Sequence, residues 1–214
     1  MNHWFSRVIS CGLAPNLEAD DIWQAWRVLW QPWTWRKEEA ITEVKEWFSG
    51  YLGVRDVYLF NSGRAALLAI LKAFNIGERD EVLIQAFTCV AVPNSIIWAG
   101  AKPIYVDIDR SFNLDPTDLE AKITKKSCAI IVQHTFGIPA QIEKIIEIAK
   151  MHKLIVIEDC AHSLGVTYKS KKLGNFGDAA FFSFGRDKVV SSVWGGAAII
   201  NSKFKIQKIG RAHV

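Results

Sequence analysis

The sequence reads as an α/β protein with a mixed, mostly parallel sheet lying between helices. Three observations lead there. From residue 57 onward, short β-branched runs alternate with stretches of helical periodicity, and strands separated by helices return through right-handed crossovers into parallel pairing. Several runs, above all Ile155-Val156-Ile157, are apolar at every position, the pattern of strands buried on both faces. The 214 residues, 50% hydrophobic and 22% charged, can bury one large core and lie far from a disordered composition.

The elements follow in order. Val57-Tyr58-Leu59-Phe60 is a strand, and 64–74 is a helix expected to turn Leu67, Leu68, Leu71 and Phe74 inward. Val82-Leu83-Ile84 is the next strand, and Pro93 suits the first turn of the helix after it. Ile104-Tyr105-Val106 is a strand, after which Asp115 caps a short helix with Pro116 at its first position. Ala129 to Val132 is a strand, followed by a helix over 142–151 with Ile142, Ile145, Ile146 and Ala149 on one face. Strands at 154–157, 179–184 and 197–200 complete the sheet. Two lysine clusters, Lys122 with Lys125 and Lys126, and Lys169 with Lys171 and Lys172, fall in expected loops.

Residues 1–50 differ in character. Seven of the nine tryptophans lie there (Trp4, Trp23, Trp26, Trp30, Trp33, Trp35 and Trp47). Ile22, Trp26, Leu29 and Trp30 share helical spacing, as do Ile41, Val44 and Phe48, so two amphipathic helices are expected. Pro32 separates them by disfavouring helix at Gln31. Tryptophans at such spacing are expected to be core. The chain therefore divides into a tryptophan-rich helical segment (1–50) and a large α/β domain (51–208).

Composition excludes several classes. A net charge of +4, with its lysines in loops, lacks the dense basic face interleaved with aromatics that nucleic acid requires. The four cysteines (Cys11, Cys89, Cys128, Cys160) show no Cys-x-x-Cys spacing and read as buried, reduced thiols of a cytoplasmic protein, with no metal site expected. Val8-Ile9-Ser10-Cys11 superficially matches a lipoprotein cleavage box, but the segment before it is short and carries Arg7. No run approaches the ~20 apolar residues of a membrane span.

The chemistry sits behind two strands. Asp159 stands at the mouth of Ile155-Val156-Ile157-Glu158, and Lys188 follows Ala179-Ala180-Phe181-Phe182-Ser183. Open α/β sheets bind ligands beyond the carboxyl ends of their strands. A carboxylate and a lysine there suit pyridoxal phosphate (PLP), whose aldehyde needs an amine and whose ring nitrogen needs an acid. Asn61-Ser62-Gly63-Arg64, between strand end and helix start, offers backbone N–H groups and a helix dipole to a phosphate. A plain capped turn is the alternative for Ser62, and a structural acid capping the next turn is the alternative for Asp159.

Seven motifs extend this pattern. They are Ser62-Gly63-Arg64-Ala65-Ala66-Leu67; Asp80-Glu81-Val82 with Phe87-Thr88; Gly100-Ala101-Lys102-Pro103 with Val106-Asp107-Ile108-Asp109; His134 with Gly137-Ile138-Pro139; Glu158-Asp159 with His162; Gly177-Asp178; and Ser183-Phe184 with Lys188. In this order and spacing the stretch 51–202 resembles the DegT/DnrJ/StrS-type sugar aminotransferases, of the fold type I PLP-dependent transferase large domain. The resemblance implies that Lys188 binds PLP and shuttles protons, that Asp159 holds the ring nitrogen protonated, that Ser62, Gly63 and Ser183 hold the phosphate, and that His162 hydrogen-bonds near the phenolic oxygen. Lys188 needs a neutral amine for both jobs, and relatives that dehydrate carry histidine there, so lysine favours transamination. Two positions depart from the family. Arg64 replaces a common threonine and would reach either the phosphate or the substrate. Cys89 replaces the aromatic that stacks on the ring, leaving Phe87 or smaller groups to cover it.

The resemblance further implies nucleotide-sugar and amino-acid substrates (glutamate as donor), a homodimer, and a tryptophan region in which Trp33 and Trp35 help shape the substrate pocket. Family members continue into a smaller C-terminal domain, whereas this chain closes on Ile209-Gly210-Arg211-Ala212-His213-Val214, which reads as foreign sequence after a truncation. A non-catalytic PLP-binding protein or inactive remnant is the alternative. A plain nucleotide-binding domain is disfavoured, because no Gly-x-Gly-x-x-Gly follows the first strand.

Overall fold

The structure, a computed structural model, describes residues 19–34 and 38–201. Its helices are α1 (Ala19–Leu29), α2 (Glu38–Leu52), α3 (Gly63–Ala73), α4 (Ala91–Ala99), α5 (Pro116–Lys122) and α6 (Ile142–His152). Its strands are β1 (Asp56–Phe60), β2 (Glu81–Gln85), β3 (Lys102–Val106), β4 (Ser127–Gln133), β5 (Ile155–Asp159), β6 (Thr167–Tyr168), β7 (Lys171–Lys172), β8 (Ala179–Ser183) and β9 (Gly196–Ile200). Each strand and helix expected from residue 57 onward is present, with ends moved by one or two residues.

Seven strands form one sheet in the order β1-β9-β8-β5-β4-β2-β3. Strands β3, β2, β4, β5 and β8 are parallel neighbours. β9 runs antiparallel to both β8 and β1. The sheet is thus mixed and mostly parallel, as expected, and helices cover both faces. Its middle strands are apolar throughout because successive side chains point to opposite faces and both are covered. On β2, Val82 and Ile84 pack with Leu67, Ile70 and Leu71 of α3 and Ile96 of α4. Leu83 points the other way, into a cluster with Leu119 of α5 and Ile142 and Ile145 of α6. Each fully buried side chain of this size contributes about 1.5–3 kcal/mol.

A third cluster joins the tryptophan-rich segment to the sheet. Phe48 and Leu52 of α2 pack with Val57, Phe182 and Ile199, and the Phe48 ring lies 5.3 Å from that of Phe182. Helix α2 therefore crosses residue 50 as one continuous element.

Several expectations need correction. On α3 the fully buried stripe is Ala66, Leu67, Ile70 and Leu71, with Leu68 and Phe74 only half-buried; on α6, Ile148 takes the place expected for Ile146. The tryptophans expected in the core are exposed: α1 buries no residue, and Trp23 and Trp30 are 75% and 71% accessible. Periodicity correctly marked an apolar face, but no described element covers it. Lys169, Lys171 and Lys172 belong to the β6–β7 hairpin, whose turn residues Lys169 and Ser170 both take positive φ. Cys160 is buried and Cys128 half-buried, but Cys89 is exposed. Among the described residues no helix is long and apolar enough to cross a membrane. Expectations about Cys11, Trp4, Trp35, 202–208 and the hexapeptide 209–214 lie outside the described residues.

Candidate functional site

Asp159 ends β5 at the middle of the sheet and is 4% accessible. Its Oδ1 accepts a hydrogen bond from Ala161 N at 3.0 Å, so it also caps the following turn. Burial pushes this carboxyl up to about 6, against the opposing electrostatic pull of the Ala161 bond, Lys188 and His134. Oδ2 has no protein hydrogen-bond partner among the described residues.

Lys188 reaches the same place from the neighbouring strand. After β8, Phe184 N donates to Gly195 O, and a tight turn brings Lys188 N onto Gly185 O at 3.1 Å. Lys188 Nζ then lies 3.0 Å from His162 Nε2 and 3.0 Å from Asp187 Oδ2. Burial and the positive charge of Lys188 hold His162 below its ordinary value, opposed by Asp187. A neutral imidazole accepting at Nε2 from the lysine follows.

Ser62, Gly63 and Ser183 form a second corner. Ser62 caps α3, its Oγ accepting from Ala65 N at 3.2 Å. The first N–H groups of a helix have no intrahelical carbonyl and can meet an anion. A Cβ at Gly63 would lie 2.8 Å from Ser183 Cβ and 3.1 Å from Ser183 Oγ, and a Cβ at Gly196 only 2.5 Å from Gly63 N. Gly196 thus packs on the Ser62–Gly63 backbone and Gly63 on the Ser183 side chain, approaches that leave no room for a Cβ. Ser62 also bridges to Gly195, linking this corner to the loop after Lys188. Arg64 leans the other way, its guanidinium 5.7 Å from the centre of the Trp98 ring.

Phe87 is 45% accessible and belongs to an aromatic group, its ring 5.5 Å from Phe112 and 6.3 Å from Phe136. Phe136 in turn lies parallel to His162, with 5.8 Å between ring centres. Cys89 stands exposed just before α4 and presents no ring.

Two buried braces escaped the sequence reading. Gln85 Nε2 has Phe87 O, Phe112 O and Thr135 Oγ1 within hydrogen-bond reach and shares its two hydrogens among them, Gln133 Nε2 donates to Thr135 Oγ1, and Thr135 N donates to Asn113 Oδ1. This network fixes the loops carrying the aromatic group. The second brace is Glu158, fully buried beside Asp159. Its Oε1 accepts from Phe176 N and Gly177 N, and its Oε2 accepts from Gly174 N and from His134 Nε2 at 3.1 Å. His134 must donate there, because its Nδ1 accepts from Ala140 N. His134, Glu158 and Cys160 bring possible metal-ligand atoms within 4.8 Å of one another, yet this hydrogen bonding occupies both carboxylate oxygens and both imidazole nitrogens. The only signal in the sequence was adjacency: Glu158 precedes Asp159, and His134 heads its own motif.

Residues 4–213 match the family model described as the DegT/DnrJ/EryC1/StrS aminotransferase family. The chain belongs to this family. GDP-perosamine synthase of Caulobacter vibrioides is 38% identical over 189 residues, covering 88% of this chain and 51% of the relative. A solved aminotransferase from Psychrobacter cryohalolentis superposes with a TM-score of 0.81 at 30% identity, covering 88% of this chain and 49% of the other. A Streptococcus pneumoniae protein solved in its PLP form gives 0.79 at 27% identity, covering 88% and 52%. The chain spans about half the length of the curated relatives it matches. Its fold is that of PLP-dependent aminotransferases of the DegT/DnrJ/EryC1/StrS family.

Proposed function

We propose that the protein is a PLP-dependent aminotransferase that passes an amino group from an amino acid, with glutamate as donor, to the keto group of a nucleotide-linked sugar. The observation that carries this reading is the convergence of Lys188 Nζ, His162 and buried Asp159 beyond the carboxyl ends of β5 and β8, beside the Ser62–Gly63–Ser183 corner.

The residues fit the cofactor. Asp159 is buried, with burial opposing its charge and an oxygen left over, so a cationic ring nitrogen is the partner this position lacks. The corner lies at the start of α3, whose first N–H groups suit a phosphate. When bound, PLP supplies an aldehyde and an electron-withdrawing ring that stabilises the carbanion left when an amine loses its α-proton. Asp159 would keep the ring nitrogen protonated. Lys188 would hold the aldehyde carbon through Nζ and, once displaced, carry the proton to and from the substrate carbon. His162 accepts from Nζ and so orients the lysine. Ser62, Gly63 and Ser183 would bind the phosphate, while Phe87 and its aromatic neighbours would flank the ring where Cys89 offers no π surface. Arg64, stacked on Trp98, would reach toward substrate rather than phosphate.

The relatives' names support the sugar reading: the Caulobacter vibrioides protein is a GDP-perosamine synthase. Residues 51–208 would be the PLP-binding large domain of a cytoplasmic homodimer, with 1–50 as its helical N-terminal segment. Reduction with borohydride in the presence of PLP tests the site. Peptide mapping should find the pyridoxyl group on Lys188, and label on another lysine, or none, refutes the assignment.

A further inference from the structure

We propose that Phe136 is a positioning residue: its ring, held flat against His162, keeps the imidazole Nε2 aimed at Lys188 Nζ. The proposal rests on the reading of Lys188 as the reactive lysine. The starting observation is a side chain that costs stability where it stands. Phe136 takes φ 52 and ψ 27 inside the short turn Thr135–Gly137, a left-handed conformation unfavourable for a residue with a Cβ. The residue is also 68% accessible, so core burial does not offset that cost. Such a residue persists only where its surroundings over-determine it, and here they do.

The turn is fastened on both sides. Thr135, just before Phe136, gives its N–H to Asn113 Oδ1 at 2.8 Å, while its hydroxyl bonds Phe112 O and receives Gln85 and Gln133. Gly137, just after it, has φ 80, and a Cβ there would lie 3.3 Å from His162 O. His134 N donates to Asp159 O at 3.3 Å. The turn is therefore docked on the 159–162 segment along its length. The result is one ring parallel to another, with 5.8 Å between centres and 12° between planes, and the second ring carries the nitrogen 3.0 Å from Lys188 Nζ. An imidazole turning about its χ2 would lose that bond. A flat neighbour on one face blocks the rotation, whereas an aliphatic chain of similar volume does not.

The test reads Lys188 directly in the full chain without cofactor. Competitive labelling of amines with acetic anhydride, followed peptide by peptide, gives the reactivity of Lys188 relative to Lys153. In Phe136→Leu and Phe136→Ala, Lys188 labelling should rise about fivefold, the equilibrium equivalent of one ordinary hydrogen bond. Phe136→Tyr should restore the original rate. His162→Ala should give the same rise, and adding Phe136→Leu to it should change nothing further, because the ring acts through the imidazole. Unchanged Lys188 labelling in Phe136→Leu, or effects of the two substitutions that add, would overturn the proposal. Should Phe136→Ala fail to fold, Phe136→Leu decides alone, since it keeps the apolar volume. The labelling needs no PLP, so a missing pyridoxyl adduct would sink the aminotransferase reading while leaving this result to stand or fall separately.

Discussion

Replacing Glu158 by glutamine changes one oxygen to an amide nitrogen and tests the brace behind Asp159. Four N–H groups point at this carboxylate, two at each oxygen. If the amide NH₂ faces Phe176 and Gly177, both of their donors meet a donor. If it faces the other side, Gly174 N–H is left opposed. His134 could then accept the amide only by shifting its proton to Nδ1, which would oppose Ala140 N–H. Either orientation leaves two buried donors without acceptors, at about 1–3 kcal/mol each. The expected loss is about 4 kcal/mol, large for any single substitution. At a urea slope of about 2 kcal/mol per molar, the unfolding midpoint should fall by about 2 M. Amide hydrogen exchange should localise the damage, with Gly174, Phe176 and Gly177 losing protection before the strands do. A midpoint shift below about 0.5 M with those amides still protected would show that the carboxylate does not hold this turn.

Two further outcomes follow from the same geometry. Asp159→Asn should still bind PLP but lose most of the glutamate half-reaction, and an unaltered rate would reduce Asp159 to a structural cap. In the cofactor-free chain, burial raises this carboxyl from 3.8 to about 6, so the folded state holds the proton more tightly than the unfolded one. That contribution is present below pH 3.8 and is lost as pH rises toward 6, by about 3 kcal/mol, and Asp159→Asn should flatten it in urea titrations at pH 4 and 7. Finally, the exposed apolar face of α1 and the residue after it, with Trp23 and Trp30 largely in water, should drive association. Trp23→Ser with Trp30→Ser should lower the mass seen by light scattering, and a parent chain already monodisperse as a monomer would contradict this.

The sheet was legible because its strands carry continuous apolar runs, as at Val82-Leu83-Ile84 and Ile155-Val156-Ile157, the pattern of a doubly covered position. Asp159, Lys188 and Ser62 were legible from their places at strand ends and a helix start, and His162 and Ser183 only through the family resemblance; the structure gathers Asp159, Lys188 and His162 in one place and Ser62 with Ser183 in another. Less was legible where contacts join distant segments. Gln85, Asn113, Gln133 and Thr135 meet across 50 residues of chain, and none carries a local signal. The β6–β7 hairpin was missed because its turn is Lys169-Ser170, without the glycine or asparagine that usually marks positive φ. The exposed tryptophans show the limit of periodicity, which reports that a face is apolar and says nothing of what covers it.

The position of β9 governs the order in which this molecule can be made. Among the described residues β1 is an edge strand whose sole sheet partner is β9, some 140 residues later. While a ribosome is still making β2 through β8, the β1 backbone has nothing to pair with, and its polar edge stays open to mispairing. Gly195 and Gly196, which close against Ser62 and Gly63, arrive at the same late moment as β9. The corner read as the phosphate cradle therefore snaps shut only when β9 slides between β1 and β8. Long-range closure of this kind is slow. A nascent chain stalled between residues 188 and 196 holds the lysine and the aspartate but has no finished cradle.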